Sequence, residues 1–160
     1  MSSQSFGYRQ ISDIGPSHVC STAKAALGDR QWWKGDEYVY VYNDGSTQIS
    51  PGLGCVLTGL SGYSVTVSSV TEVNECAGIV KHATLTTGDY GWVLTRGFVA
   101  VEADADTGLA AADRIVMGDN GVSTRVTGAT ALVQQQRIHG IMMDATGSGG
   151  SALAHVHCFL

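Results

Sequence analysis

From Trp32 onward the chain alternates apolar and polar residues with a period of two. In "EYVYVYNDGSTQIS", Tyr38, Tyr40 and Tyr42 fall on one side and Val39 and Val41 on the other, as expected for a strand whose successive side chains point to opposite faces. "NDGS" then reads as a hairpin turn, because Asn, Asp and Gly tolerate positive φ. "SGYSVTVSSV" sets Tyr63, Val65 and Val67 against Ser64, Thr66 and Ser68, the pattern of a half-exposed strand. "AGIVKHATLTTGDYGWVLTRGFVAVEA" supplies three further short strands, and "DRIVMGDNGVSTRV" a hairpin turning at Asp119 to Gly121. "RIHGIMMDA" and "SALAHVHCFL" complete the set, separated by the loop "TGSGGS".

Only one segment has helical spacing. Between Pro16 and Asp29, Val19, Ala23, Ala26 and Leu27 form a short stripe that Gly28 could close. The fold class is therefore all-β: a small β-barrel or sandwich of about eight to ten short strands, with an N-terminal arm and at most one short helix. Residues 1–30 are expected to form the arm and residues 31–160 the barrel domain. The Ser- and Gln-rich start of the arm is the kind of segment that frays or orders on a partner.

Composition narrows the classes of function. The chain has 160 residues with 21 Gly and only 2 Pro, which suits tight turns between short strands. A chain this long buries roughly 70% of its unfolded surface, enough for a core without disulfides or metals. The net charge is −5, and the nine basic residues are scattered singly. Direct nucleic-acid binding is not expected, since it depends on grouped Lys and Arg. The N-terminus has no apolar signal core, and no apolar stretch approaches ~18 residues, so neither export nor a membrane span is expected. Cys20, Cys55, Cys76 and Cys158 form no C-x-x-C pair and are expected to be buried, reduced thiols.

Candidate chemistry is sparse. In "HVHC", His155 and His157 share one strand face, as two metal ligands would, with His139 as a third candidate. A terminal strand with one wet face has the same pattern, and that reading is preferred. Glu102, Asp104 and Asp106 alternate as in a weak Ca²⁺ loop, but the Gly and terminal Glu of an EF-hand are lacking. "PGLG" at Pro51 to Gly54 is a turn into a strand, not a phosphate cradle. There is no nucleophile elbow. An enzyme is not expected, nor a metal or cofactor. Aromatics are the more informative feature, because Tyr and Trp dominate interface hot spots. Trp32 and Trp33 should face opposite ways, one into the core and the other outward. The candidate interface residues are Arg9, Trp32, Trp33, Tyr38, Tyr40, Tyr42, Trp92, His155 and His157.

The order of segments resembles the small capsid cement, or decoration, proteins of tailed bacteriophages. The likeness runs from "ISPGLGCVLT" through "CAGIVKHATLTTGDYGWVLTRGFVAVEA", with a Gly-acid turn and an Arg-Gly turn. It continues through "LAAADRIVMGDNG" and "IHGIMMDATGSGG" to "ALAHVHCFL", covering roughly Ile49 to Leu160. The first 48 residues are longer than the family's minimal form. The resemblance implies a homotrimeric β-barrel on the outer capsid surface of a virion, assembled in the host cytoplasm. Its partner would be the major capsid protein, and it would have no catalytic residues. A different class of function is a virion-surface binding module, such as a head fibre base or a host-surface glycan-binding domain.

Overall fold

A computed structural model describes residues 14–59, 62–67, 76–106, 108–126 and 139–158. The described residues are almost entirely strand and turn. In chain order the strands are β1 (Arg30–Trp33), β2 (Asp36–Asn43), β3 (Gly54–Leu57), β4 (Ser64–Thr66), β5 (Gly78–Ile79), β6 (Tyr90–Glu102), β7 (Arg114–Met117), β8 (Ser123–Arg125), β9 (Gly140–Met142) and β10 (Ser151–His157). Strands β2, β4, β3, β5 and β6 pair in that order, and β6 pairs back onto β2, closing a five-stranded barrel. The β2–β4 step is parallel and the others are antiparallel. Beyond the barrel, β6 continues into a second group ordered β10, β9, β7, β8, and a bridge from Ala103 to Ser123 brings β8 back to the end of β6.

The alternation in "EYVYVYN" separates two cores. Val39 and Val41 join Cys55, Val65 and Val93 inside the small barrel, capped by Ile49 and Leu85. Tyr38 and Tyr40 point the other way, into a larger core with Trp92, Leu94, Val101, Ile115, Met117, Met142 and Val156. β2 is thus buried on both faces. Each fully buried Val, Leu or Ile contributes roughly 1.5–3 kcal/mol, so both cores favour one register of β2.

β6 is a single strand of 13 residues, where two short strands around an Arg-Gly turn were expected. The turn is a β-bulge. Glu37 pairs with Arg96 but Tyr38 pairs with Leu94, leaving Thr95 as an extra residue on β6. Its hydroxyl donates to the Glu37 carbonyl at 3.2 Å. The extra residue reverses the alternation. Before it, the even residues Trp92 and Leu94 face the large core, and after it the odd residues Val99 and Val101 do. Gly97, at φ 140°, lies against the carboxylate of Asp36, where a Cβ would collide. A glycine beside an arginine therefore marks a bulge here rather than a reversal of the chain.

Two other expectations are corrected. "NDGS" bends the chain but joins no hairpin, since β2 is flanked by β1, β4 and β6 rather than β3. Asn43 instead anchors the bend, donating from its amide to the carbonyls of Thr47 and Leu85, each at 3.0 Å. Residues 16–29 form no helix. A helix this short, with Ala at half of its stripe positions, has little apolar area to offset its nucleation cost. Its backbone groups are satisfied by the barrel instead. Cys20 and Tyr90 exchange bonds of 3.1 and 2.8 Å, and the Gly28 N–H donates to the Tyr40 carbonyl at 2.9 Å. The Lys24 N–H donates to the Tyr40 hydroxyl at 3.1 Å.

Other turns agree with expectation. "DNG" forms a 3₁₀ turn at Asp119–Gly121 between the paired strands β7 and β8. A further hairpin, β1–β2, turns on Lys34 and Gly35 with φ of 52° and 91°, the two positive values a tight two-residue loop requires.

Candidate interaction surface

Beyond the bulge, the sheet formed by β6, β10 and β9 has one face in the large core and one open. Directly paired residues in neighbouring strands carry their side chains on the same face. Ile141, His155 and Phe98 lie abreast across β9, β10 and β6. Leu153 and Ala100 form the next row, joined by Met143, whose N–H donates to the Leu153 carbonyl at 2.8 Å. On the other side a row runs from His157 through Arg96 and Glu37 to Trp32 on β1. Phe98 and His155 pack with ring centroids 4.8 Å apart.

This face is apolar to a degree its alternation does not require. Phe98 is 48% exposed, Met143 49%, Ile141 46% and Leu153 39%. Their strand neighbours Val99, Val101, Met142, Ala154 and Val156 are buried in the large core. A strand with one wet face ordinarily places polar residues there. Four large apolar side chains clustered on open sheet mark a surface that gains free energy when covered. Arg96 and His157 on one side and Glu102 on the other are the charged or titratable groups flanking it on β6 and β10.

The aromatic candidates divide. Trp32 and Trp33 are 47% and 46% exposed, so neither enters the core. The core position opposite β1 is held by Tyr38, which pairs with Gln31. Tyr38, Tyr40 and Trp92 are buried, which corrects their assignment to an accessible interface. Tyr40 packs on Trp92 at 4.9 Å and Tyr42 on Tyr90 at 4.7 Å, so the Tyr row packs within the sheet. Tyr42 and His155 are half-buried, while His157 is exposed. Arg9 lies outside the described residues.

A polar cluster secures the β1–β2 hairpin beside this face. The buried Asp36 carboxylate accepts from the Tyr38 hydroxyl and the Phe98 N–H, each at 3.2 Å, and pairs with the Lys81 ammonium. The Tyr38 hydroxyl also lies 3.0 Å from His82 Nε2. Burial, reinforced by the Asp36 charge and hydrogen bond, holds the Tyr38 phenol above its usual range. Burial, with Lys81 beside it, pushes His82 down. The cluster joins three separate stretches of chain and fixes the backbone that presents Phe98.

The histidines do not converge. His139 is fully buried, its Nδ1 has no partner among the described residues, and burial lowers its pKa to about 4. Among the described residues no three His, Cys, Asp or Glu side chains gather in a way that could hold a metal ion. In the acidic loop, Asp104 Oδ1 accepts the Asp106 N–H at 2.8 Å, closing a local turn.

Phe98, Ile141, Met143 and Leu153 were absent from the sequence candidates. Their signal lay in "GFVAVEA", "HGIMMDA" and "SALAHV", where the residues alternating with the core positions are themselves often apolar. Without the bulge, the side Phe98 faces cannot be assigned.

No family model and no curated protein matches the sequence. Among solved structures, the chain is similar to the N-terminal base of the head fibre protein gp8.5 of bacteriophage phi29. The TM-score is 0.52 at 11% sequence identity, covering 74% of this chain and 93% of that one. At that identity the likeness is one of fold.

Proposed function

We propose that this chain is a structural component of a phage head that binds the outer surface of the capsid shell as a cement protein. Its function is to hold neighbouring subunits together, and its partner is the major capsid protein. The observation that carries this reading is the open apolar sheet face around Phe98, Ile141, Met143 and Leu153 on a barrel of the head-fibre-base type. Covering these side chains yields on the order of 1 kcal/mol each. A protein that binds only the assembled shell stabilises that shell by linkage. The proposal includes a homotrimer, a location on the virion exterior, and no catalytic or nucleic-acid-binding role. The order of segments from Ile49 to Leu160 supports the cement assignment.

The second reading is a head fibre base, and the fold likeness favours it directly. One experiment separates the two. Purified protein is mixed with undecorated heads, and retention and heat-induced DNA release are both measured. A cement protein is retained and raises the temperature of DNA release. Retention with no change in that temperature selects the fibre base, and no retention overturns both readings.

A further inference from the structure

The seam between the five-stranded barrel and the second strand group holds a pair of thiols. Cys76 lies just before β5 of the barrel, and Cys158 just after β10 of the second group. Both are buried, and the Cys158 thiol donates to Cys76 Sγ at 3.4 Å. The two residues are 82 positions apart in sequence, so the contact is made by the fold alone. Cys76 also donates to the Gly78 carbonyl at 3.5 Å, as does Cys55 from inside the small barrel at 3.3 Å. Cys20 is bridged to Tyr90 at the start of β6, with its thiol donating to the Thr22 carbonyl at 2.8 Å.

We propose that Cys76 and Cys158 are a disulfide-forming site, closed by thiol–disulfide exchange with a small-molecule disulfide of the oxidised-glutathione class. Exchange begins at Cys158, which retains 5% exposure against none for Cys76. Its thiolate attacks the small disulfide, forming a mixed disulfide and releasing one small thiol. The Cys76 thiolate then attacks Cys158 Sγ, closing the protein bridge and releasing the second small thiol. Two protein thiols are oxidised, and one disulfide is reduced to two thiols.

Burial pushes the Cys76 thiol up, so the second step is slow and waits on local opening around the buried pair. The bridge would tie β10 to the barrel and close a loop spanning 82 positions of the chain. A long closed loop removes the most freedom from the unfolded chain. The site stands on the thiol geometry and does not depend on the capsid assignment.

The test is prolonged incubation of the folded full chain with oxidised glutathione, followed by non-reducing peptide mapping and thermal unfolding. The expected result is a Cys76–Cys158 linked peptide, loss of two titratable thiols, and a raised Tm that returns to its starting value on reduction. Cys20→Ser and Cys55→Ser should keep the rise, while Cys76→Ser and Cys158→Ser should lose it. A bridge mapped to Cys20 or Cys55 overturns the proposal. So does a wild-type chain that keeps all four thiols while its urea-unfolded form oxidises under the same conditions. Mapping on the wild-type chain decides the matter even if a core substitution fails to fold.

Discussion

Single residues in this protein often hold positions unrelated to the chemistry their types suggest. His139 was a candidate metal ligand, yet it is enclosed in the second strand group with its imidazole neutral. Its pKa, about 4 when folded against 6.5 for the free side chain, has a consequence for acid stability. Below about pH 6.5 the unfolded chain takes up a proton that the folded chain refuses until about pH 4. The stabilising contribution is fully present above that window and is lost as pH falls through it, about 3 kcal/mol in all. His82, also pushed down by burial, acts in the same direction. Urea midpoints of the wild-type chain are expected to fall across this window, and those of His139→Asn to fall less steeply. Equal slopes would remove His139 as the cause. Asp36 shows the opposite case, a residue without any motif that ties together Tyr38, Lys81 and the Phe98 backbone.

Among the elements, β6 decides most. It belongs to both strand groups, and its bulge switches which residues face inward. Gly97 allows this, at φ 140° with the Asp36 carboxylate against its Cα. A side chain there meets both a strained backbone and a buried carboxylate. Gly97→Ala is therefore expected to destabilise the fold by about 2–3 kcal/mol, read by equilibrium urea unfolding. A loss below about 0.5 kcal/mol, the scale of an ordinary surface substitution, would show that the bulge does not need glycine. The neighbouring substitution Ala100→Ser, on the open side of the same strand, serves as a control and should be nearly neutral.

For the molecule as a whole, the open face of β6, β10 and β9 separates stability from assembly. Phe98 and Leu153 are each about half exposed in the isolated chain and pack on no core that depends on them. The double variant Phe98→Asp, Leu153→Asp should therefore keep its Tm within a few degrees and remain folded. Its retention on undecorated heads should fall at least tenfold, since two desolvated apolar contacts become two charges that must be buried unpaired. Undiminished retention would move the docking surface elsewhere, with the exposed hairpin tip at Trp32 and Trp33 the next place to look. Light scattering on the wild-type chain at micromolar concentration tests the trimer, and a monomer there would count against it.

Much of the architecture could be read from residue order alone. Period-two alternation identified an all-β chain, the "DNG" hairpin and the two faces of β2, because these depend on local backbone geometry and on which side chains avoid water. The preference of Cys55, Cys76 and Cys158 for the interior was legible for the same reason, whereas Cys20, expected to be buried with them, stays partly exposed. Pairing and register were not. Whether "NDGS" makes a hairpin, whether Arg96–Gly97 is a turn or a bulge, and whether the Val19–Leu27 stripe becomes a helix all depend on which distant backbone groups are free to bond. The accessible face was also out of reach. One inserted residue, Thr95, inverts the facing of the rest of β6, so a Phe that alternates like a surface position can be assigned to a face only once its partner strand is known.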